Sequence, residues 1–524
     1  MRRRQRTILV RHVCSERLAS GGLWRKIQGA SRKVGTMKTK TKRETKKKWT
    51  VMVYLSGDND LSDECVWSLK EMFRTSPDDN IGLSVQIDPR AKRIQRFDVS
   101  ALLKKRELLL GKTKGQRTRG RRDASDHKLL AGGRSLSKGK DRMASVEALQ
   151  DFIEMTKRYH PAEHYLLVLS GHAGGPFGNS FLVDEFPVHG LSMHGVRTAI
   201  MAGGGVDVIG MDSCGMGMAE VGYQLRDCAK VLVGSEGFEQ NTGWPYFNVI
   251  TGIQDEVRAH GNIDARTLGA EIVRRHTEYY SDFLMAGVST DISACDLQRS
   301  DRLAAAVRKL AERLTSALAT NRPLWDDEKH KDPRVFVEDL KLSARADSDA
   351  IILAHWRAQS YRFERHLDLY DFCELLKNGC RDEGITKACT ELMAEIKGVQ
   401  LKDGTFDGYV IKSCRSGEAF QYSNGVAIYF PWAEVDAGYD DLSFATDTAW
   451  VRFLRTYVLK TRRRPRDGDG SVHWVPRFGE VESPFGDREV PSVGIREFPS
   501  VGIRGKILTP LVKNPPDVFF EDKC

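Results

Sequence analysis

The chain of 524 residues reads as an α/β protein with a mainly parallel sheet flanked by helices, followed by further C-terminal helical and strand segments. Three observations carry this. Apolar runs closed by Gly or small residues stand at 164–169 and 206–210, the pattern of strands covered on both faces, and further strand-like stretches at 49–55, 81–87 and 231–235. Between them, apolar residues fall at helical spacing, as in Val146, Leu149, Phe152 and Ile153. The two kinds of segment alternate, which produces strand–helix–strand units and parallel pairing.

In order, Trp49 to Leu55 is a first strand and Leu61 to Phe73 an amphipathic helix. Ile81 to Ile87 is a second strand, and Arg93 to Val99 an antiparallel edge strand. Ala144 to Tyr159 is a helix with Ser145 as its cap. The run 164–169 then ends at Ser170-Gly171-His172-Ala173-Gly174-Gly175. After Phe181-Leu182-Val183, a loop and a helix over 192–201, the run 206–210 ends at Met211-Asp212-Ser213-Cys214-Gly215-Met216. A helix over 216–226 is expected to point its N-terminus at Cys214, where the helix dipole favours thiolate. Helices over about 264–281 and 297–319 flank a strand at 287–292. Residues 320–400 read as mainly helical, 408–411 and 425–431 as strands, and 447–458 as a closing helix.

This divides the chain into a basic disordered lead (1–48), an α/β domain (49–300) with a basic insertion (101–142), a C-terminal helical and strand-containing lobe (301–460) and a poorly ordered tail (461–524). The tail holds one period-eight repeat, 488–495 and 496–503. The net charge of +10 is uneven: 17 Lys/Arg against two Glu in the lead, 14 against four acids in the insertion. The remainder is acidic. Such runs are usually solvated, and no groove-reading motif or stacking-aromatic array accompanies them, so nucleic acid is not an expected partner. The ten cysteines include no C-x-x-C pair, which suits a reducing compartment. No apolar run approaches the ~20 residues of a membrane span. The N-terminus lacks the apolar core of a signal peptide, so a cytoplasmic location is expected. Its Arg-rich composition also resembles a transit peptide, and Met37 is an alternative start.

Beyond the carboxyl ends of parallel strands lies the usual ligand site of an open α/β sheet. His172 and Cys214 both leave the sheet there, as a proton acceptor and a nucleophile require. His189 and His194 are alternative bases. Cys228, Cys295, Cys373 and Cys389 lie in core-like sequence. Asp212 is a pocket carboxylate or a cap for the following helix, and Trp244 is expected to pack under a cleft. No third acidic partner for the histidine is evident, so the pair reads as a dyad.

Several ordered motifs then resemble the clostripain family of cysteine peptidases (C11): Thr50–Leu55 with Asp58-Asn59-Asp60-Leu61; Ser170-Gly171-His172; Asp212–Val221 with Tyr223–Arg226; Ser235-Glu236 leading to Gly243-Trp244-Pro245-Tyr246; and, near the end, Asn424-Gly425 through Pro431, Phe444 to Trp450 and Phe453-Leu454. The resemblance implies a caspase-like α/β fold with 49–300 as the catalytic domain. It implies a cysteine endopeptidase acting through a His172/Cys214 dyad and an acyl-enzyme, with cleavage after Arg or Lys and a peptide or protein as partner. The oxyanion donors would be the backbone N–H groups of Ala173 and Cys214; Ala173 replaces the family's usual glycine. Asp212 matches one acidic position of the pocket for the basic side chain, and Thr242 stands where the family commonly has an aspartate. Glu236, Glu239 and Asp58 are candidates for a second charge, and Trp244 completes the substrate-binding set. Some relatives depend on calcium, but Asp58–Asp63 lacks EF-hand spacing, so no cofactor or metal site is assigned. Arg197 is the one basic residue between His172 and Cys214, so self-cleavage there is not expected. A non-catalytic peptide-binding relative and a nucleic-acid-associated protein using the basic tracts are the alternative readings.

Overall fold

The computed structural model describes residues 46–461 except 77, 91–92, 112–132, 136–143, 186–187, 321–346, 362–364 and 433. The lead up to residue 45, most of the basic insertion and the tail with its repeat lie outside the described residues.

The strands, in chain order, are β1 (Lys47–Gly57), β2 (Ile81–Pro89), β3 (Gln95–Asp98), β4 (Arg134–Ser135), β5 (Ala162–Ser170), β6 (Phe181–Glu185), β7 (Val188–Leu191), β8 (Val208–Asp212), β9 (Val231–Gly234), β10 (Thr290–Asp296), β11 (Ser360–Tyr361), β12 (His366–Asp368), β13 (Val410–Ser416) and β14 (Ala427–Tyr429). Nine form one sheet in the order β13-β10-β9-β8-β5-β1-β2-β3-β4. The centre, β2-β1-β5-β8-β9, is parallel. The margins are antiparallel: β3 and β4 on one side, β10 and β13 on the other.

The alternating side chains of each central strand feed two cores, as the period of two requires. Val51, Val53, Leu166, Val168 and Val208 pack on one face with Trp244 and helices Tyr246–His260 and Ala265–Ser281. Met52, Tyr54, Leu167, Leu169, Ile209 and Met211 pack on the other. That second core also holds the inner sides of helices Ser300–Thr320, Leu369–Gly379, Glu383–Lys397 and Trp450–Thr461. The chain after residue 300 therefore covers a face of the central sheet and adds β13 to its edge. The boundary drawn at 300 does not divide two cores.

Two local expectations hold in detail and one shifts. Ser145 caps Val146–Tyr159 by accepting from the Ala148 N–H at 3.1 Å, and the edge strand β3 is antiparallel. The helix after Cys214, by contrast, starts at Ala219 rather than 216, with Met218 extended at φ −112° and ψ 150°. Gly215 at φ +61° and the bonds Gly215 N–H to Gly237 O and Gly217 N–H to Ser235 O, both 2.7 Å, hold residues 215–217 in a tight turn instead. Among the described residues no helix is long and apolar enough to cross a membrane.

Candidate active site

The register of β5 and β8 pairs Ser170 with Asp212. His172 and Cys214 each stand two residues beyond that pair, at equivalent places on adjacent parallel strands roughly 4.8 Å apart. The Gly171 N–H donates to Asp212 O at 3.3 Å, carrying the pairing one step past the strands. Gly171 has φ +155°, and a Cβ there would meet the Ser56 Cβ at 3.1 Å. The histidine turn thus needs a residue without a side chain.

The two candidate side chains have different surroundings. The His172 imidazole is 22% exposed, and its Nε2 lies 2.5 Å from Asp60 Oδ1. Cys214 is 1% exposed. Its Sγ accepts the Glu239 N–H at 3.3 Å and lies 3.8 Å from Glu239 O. Residues 236–241 are all buried, so the segment after β9 closes over the sulfur. That segment is braced from below. Glu239 Oε2 accepts from Ser235 Oγ at 2.5 Å, and Oε1 lies 2.8 Å from His276 Nε2. Glu239 and His276 are both fully buried.

Of the substrate-binding candidates, Asp212 is fully buried. Its Oδ1 accepts the Trp244 N–H at 3.1 Å and its Oδ2 the Tyr246 hydroxyl at 2.8 Å. It therefore bonds the 244–246 turn and does not cap a helix. Burial and the Asp212 charge push the Tyr246 hydroxyl well above its ordinary pKa, keeping it a donor. Trp244 is buried with its ring against β8, where a Cβ on Gly210 would come within 2.6 Å of it. Thr242 is half-buried and its Oγ1 is 2.9 Å from the Tyr280 hydroxyl. Asp58 is half-buried near Asp184, and Ala173 is buried and bridged to Phe181. His189 lies on β7, and His194 is exposed.

Glu236 is fully buried, and its Oε1 accepts the Gly425 N–H at 2.6 Å. It shares a hydrogen bond with Asp368. Asp291 takes the N–H groups of Glu236 and Gly237 at 2.7 and 3.1 Å. Burial, with the Asp368 and Asp291 charges, pushes the Glu236 carboxyl well above its ordinary range, and burial pushes Asp291 up to about 7. Glu236 thus ties the segment over Cys214 to β10, to the end of β12 and to the turn before β14.

Asp60, His276, Asp291 and Asp368 escaped the sequence reading. Asp60 alone carried a local signal, since it follows the strand next to the one bearing His172. The Asn59 side chain is spent on Ser56 O, Val183 O and the Leu61 N–H, and Asp60 faces His172. Among the described residues no group of three His, Cys, Asp or Glu converges as a metal site.

A mainly parallel sheet that presents a thiol and an imidazole at adjacent strand tips defines the caspase-like α/β class. Within that class, the Clostripain family model matches residues 53–457, and the chain belongs to this family. It is 25% identical over 264 residues to clostripain of Hathewaya histolytica, an alignment covering 46% of this chain and 48% of that protein. It thus spans about half the length of that relative. Among solved structures, it resembles a secreted C11 cysteine protease from Bacteroides thetaiotaomicron in complex with an irreversible peptide inhibitor. The identity is 16% and the TM-score 0.51, over 77% of this chain and 99% of the other.

Proposed function

We propose that this chain is a cysteine endopeptidase in which Cys214 attacks the scissile carbonyl and His172 carries the proton, with preference for Arg or Lys before the cut. The observation that carries the reading is the Ser170–Asp212 register pair, which supports it because His172 and Cys214 follow at equivalent backbone positions beyond the ligand-binding end of the sheet. In the forward step His172 takes the Cys214 proton as the sulfur–carbon bond forms. The backbone N–H groups of Ala173 and Cys214 hold the oxyanion, each worth about 3 kcal/mol. His172 then gives its proton to the leaving amine, and water releases the acyl group. The sulfur is 1% exposed and touches the Glu239 backbone, so a peptide reaches it only with a local shift around Cys214.

The basic preference rests on the Asp212 charge two residues before the nucleophile, supported by half-buried Asp58; burial favours the neutral Glu236 carboxyl, which adds no charge. Thr242 contributes a neutral wall. The test is a set of fluorogenic peptides differing only in the residue before the cut, run on wild type, Cys214→Ala and Asp212→Asn. Arg and Lys peptides are expected to exceed Ala and Glu peptides by about 10- to 100-fold in kcat/KM, the range of one charge-assisted bond. Asp212→Asn should narrow that ratio. Equal rates across the set, with Cys214→Ala inactive, would overturn the basic pocket and leave the peptidase.

A further inference from the structure

We infer that Asp60 is a positioning residue for His172: its carboxylate holds the Nε2–H and thereby presents Nδ1 as the base that faces Cys214. The inference rests on the peptidase reading of His172 and deepens it. In an imidazole with one proton, the nitrogen that donates cannot also accept. The 2.5 Å contact between Nε2 and Asp60 Oδ1 therefore assigns the proton to Nε2 and the acceptor role to Nδ1. The thiol proton moves to Nδ1 as the sulfur–carbon bond forms, the imidazolium charge is balanced by the carboxylate, and the same proton leaves with the amine when the carbon–nitrogen bond breaks.

Two features separate this from an incidental surface pair. The Asp60 side chain is 69% exposed, and an ion pair that open contributes at most about 1 kcal/mol to folding. Yet its backbone is fixed. The neighbouring Asn59 is fully buried and bridges Ser56 O at 3.3 Å and Val183 O at 2.9 Å while accepting the Leu61 N–H at 2.9 Å. His172 hangs on the same frame, because Leu182 N–H donates to His172 O at 2.9 Å. Both partners are thus attached to β6, Asp60 through Asn59 also to the end of β1, so their backbones are placed by bonds other than the exposed pair. A carboxylate preorganised in this way orients a ring at little cost in entropy.

The experiment uses the full chain with 15N-labelled histidine, comparing wild type, Asp60→Ala and Asp60→Glu. Wild type is expected to show the His172 proton on Nε2, and Asp60→Ala a mixture of tautomers. Asp60→Ala should lower kcat by about 10- to 100-fold with KM within twofold and Tm within about 2 °C. Asp60→Glu should recover at least a third of the activity and the Nε2-bound proton. A kcat for Asp60→Ala within twofold of wild type, with Cys214→Ala inactive, would overturn the role of Asp60 and leave the peptidase standing. If wild type cleaves no peptide, the peptidase reading fails and the spectrum decides alone: a proton on Nδ1 in wild type overturns the assignment.

Discussion

The histidine turn and the cysteine turn leave the sheet at matching places and then diverge. His172 and Asp60 face the solvent, whereas Cys214 lies under a segment stitched to four other parts of the chain. Bonds at the open turn leave the His172 imidazole partly exposed beside Asp60. Those at the closed turn bury the Cys214 thiol against the Glu239 backbone. Strand position aligns the pair, and the loops decide which partner is accessible.

The comparison breaks most sharply when each side is deleted. Cys214→Ala and His172→Ala are both expected to lower kcat by at least about 10³-fold, measured on an Arg peptide. Only in the second should Cys214 still be alkylated by iodoacetamide, and more slowly than the same residue in denatured chain, as mass spectrometry of the labelled cysteine would show. The brace under the closed side is next. His276→Ala removes one partner of a fully buried pair and should cost about 3–5 kcal/mol in urea unfolding. Glu239→Gln, a gentler change, should speed Cys214 labelling severalfold without unfolding the chain. Unchanged labelling in both would show that this pair does not hold the segment shut.

A third effect is read in pH. Burial pushes Glu220 up to about 7, although its Oε1 accepts from Tyr429 N–H and the Tyr439 hydroxyl, each at 2.9 Å. Its folded value exceeds its unfolded one, so the associated stability is full below about pH 4 and is lost as pH rises through about 7. Glu220→Gln should reduce the stability difference between pH 4 and pH 8 by about 3 kcal/mol. The smallest effect belongs to the open side. Gly171→Ala, strained at φ +155°, should cost about 1–3 kcal/mol in thermal unfolding and lower kcat by displacing His172.

The strands and the matching places of His172 and Cys214 were legible because buried parallel strands write themselves as apolar runs with small residues at their ends. Sheet order was less so. β10 pairs with β13 from beyond residue 400, and no local pattern announces a partner that distant. The helix expected at 216 begins at Ala219 because Gly215 and Gly217 donate to the 235–237 backbone, a tertiary contact that overrides a run able to start earlier. Asp212 drew notice as an acid two residues before Cys214, but only its bonds to Trp244 and Tyr246 reveal that it fastens a turn. The bridge from Asp60 to His172 spans 112 positions and could not be read from either motif alone.

The place of β13 has a consequence for synthesis. β10 ends at Asp296 and β13 begins at Val410, so about 110 residues emerge before that edge is covered. At roughly 5–20 residues per second, the outer rim of β10 stays bare for roughly 5–20 s. A bare rim invites pairing with another nascent chain. Polysomes crowded with this message, or a ribosome stalled before residue 410, are therefore where aggregation should begin.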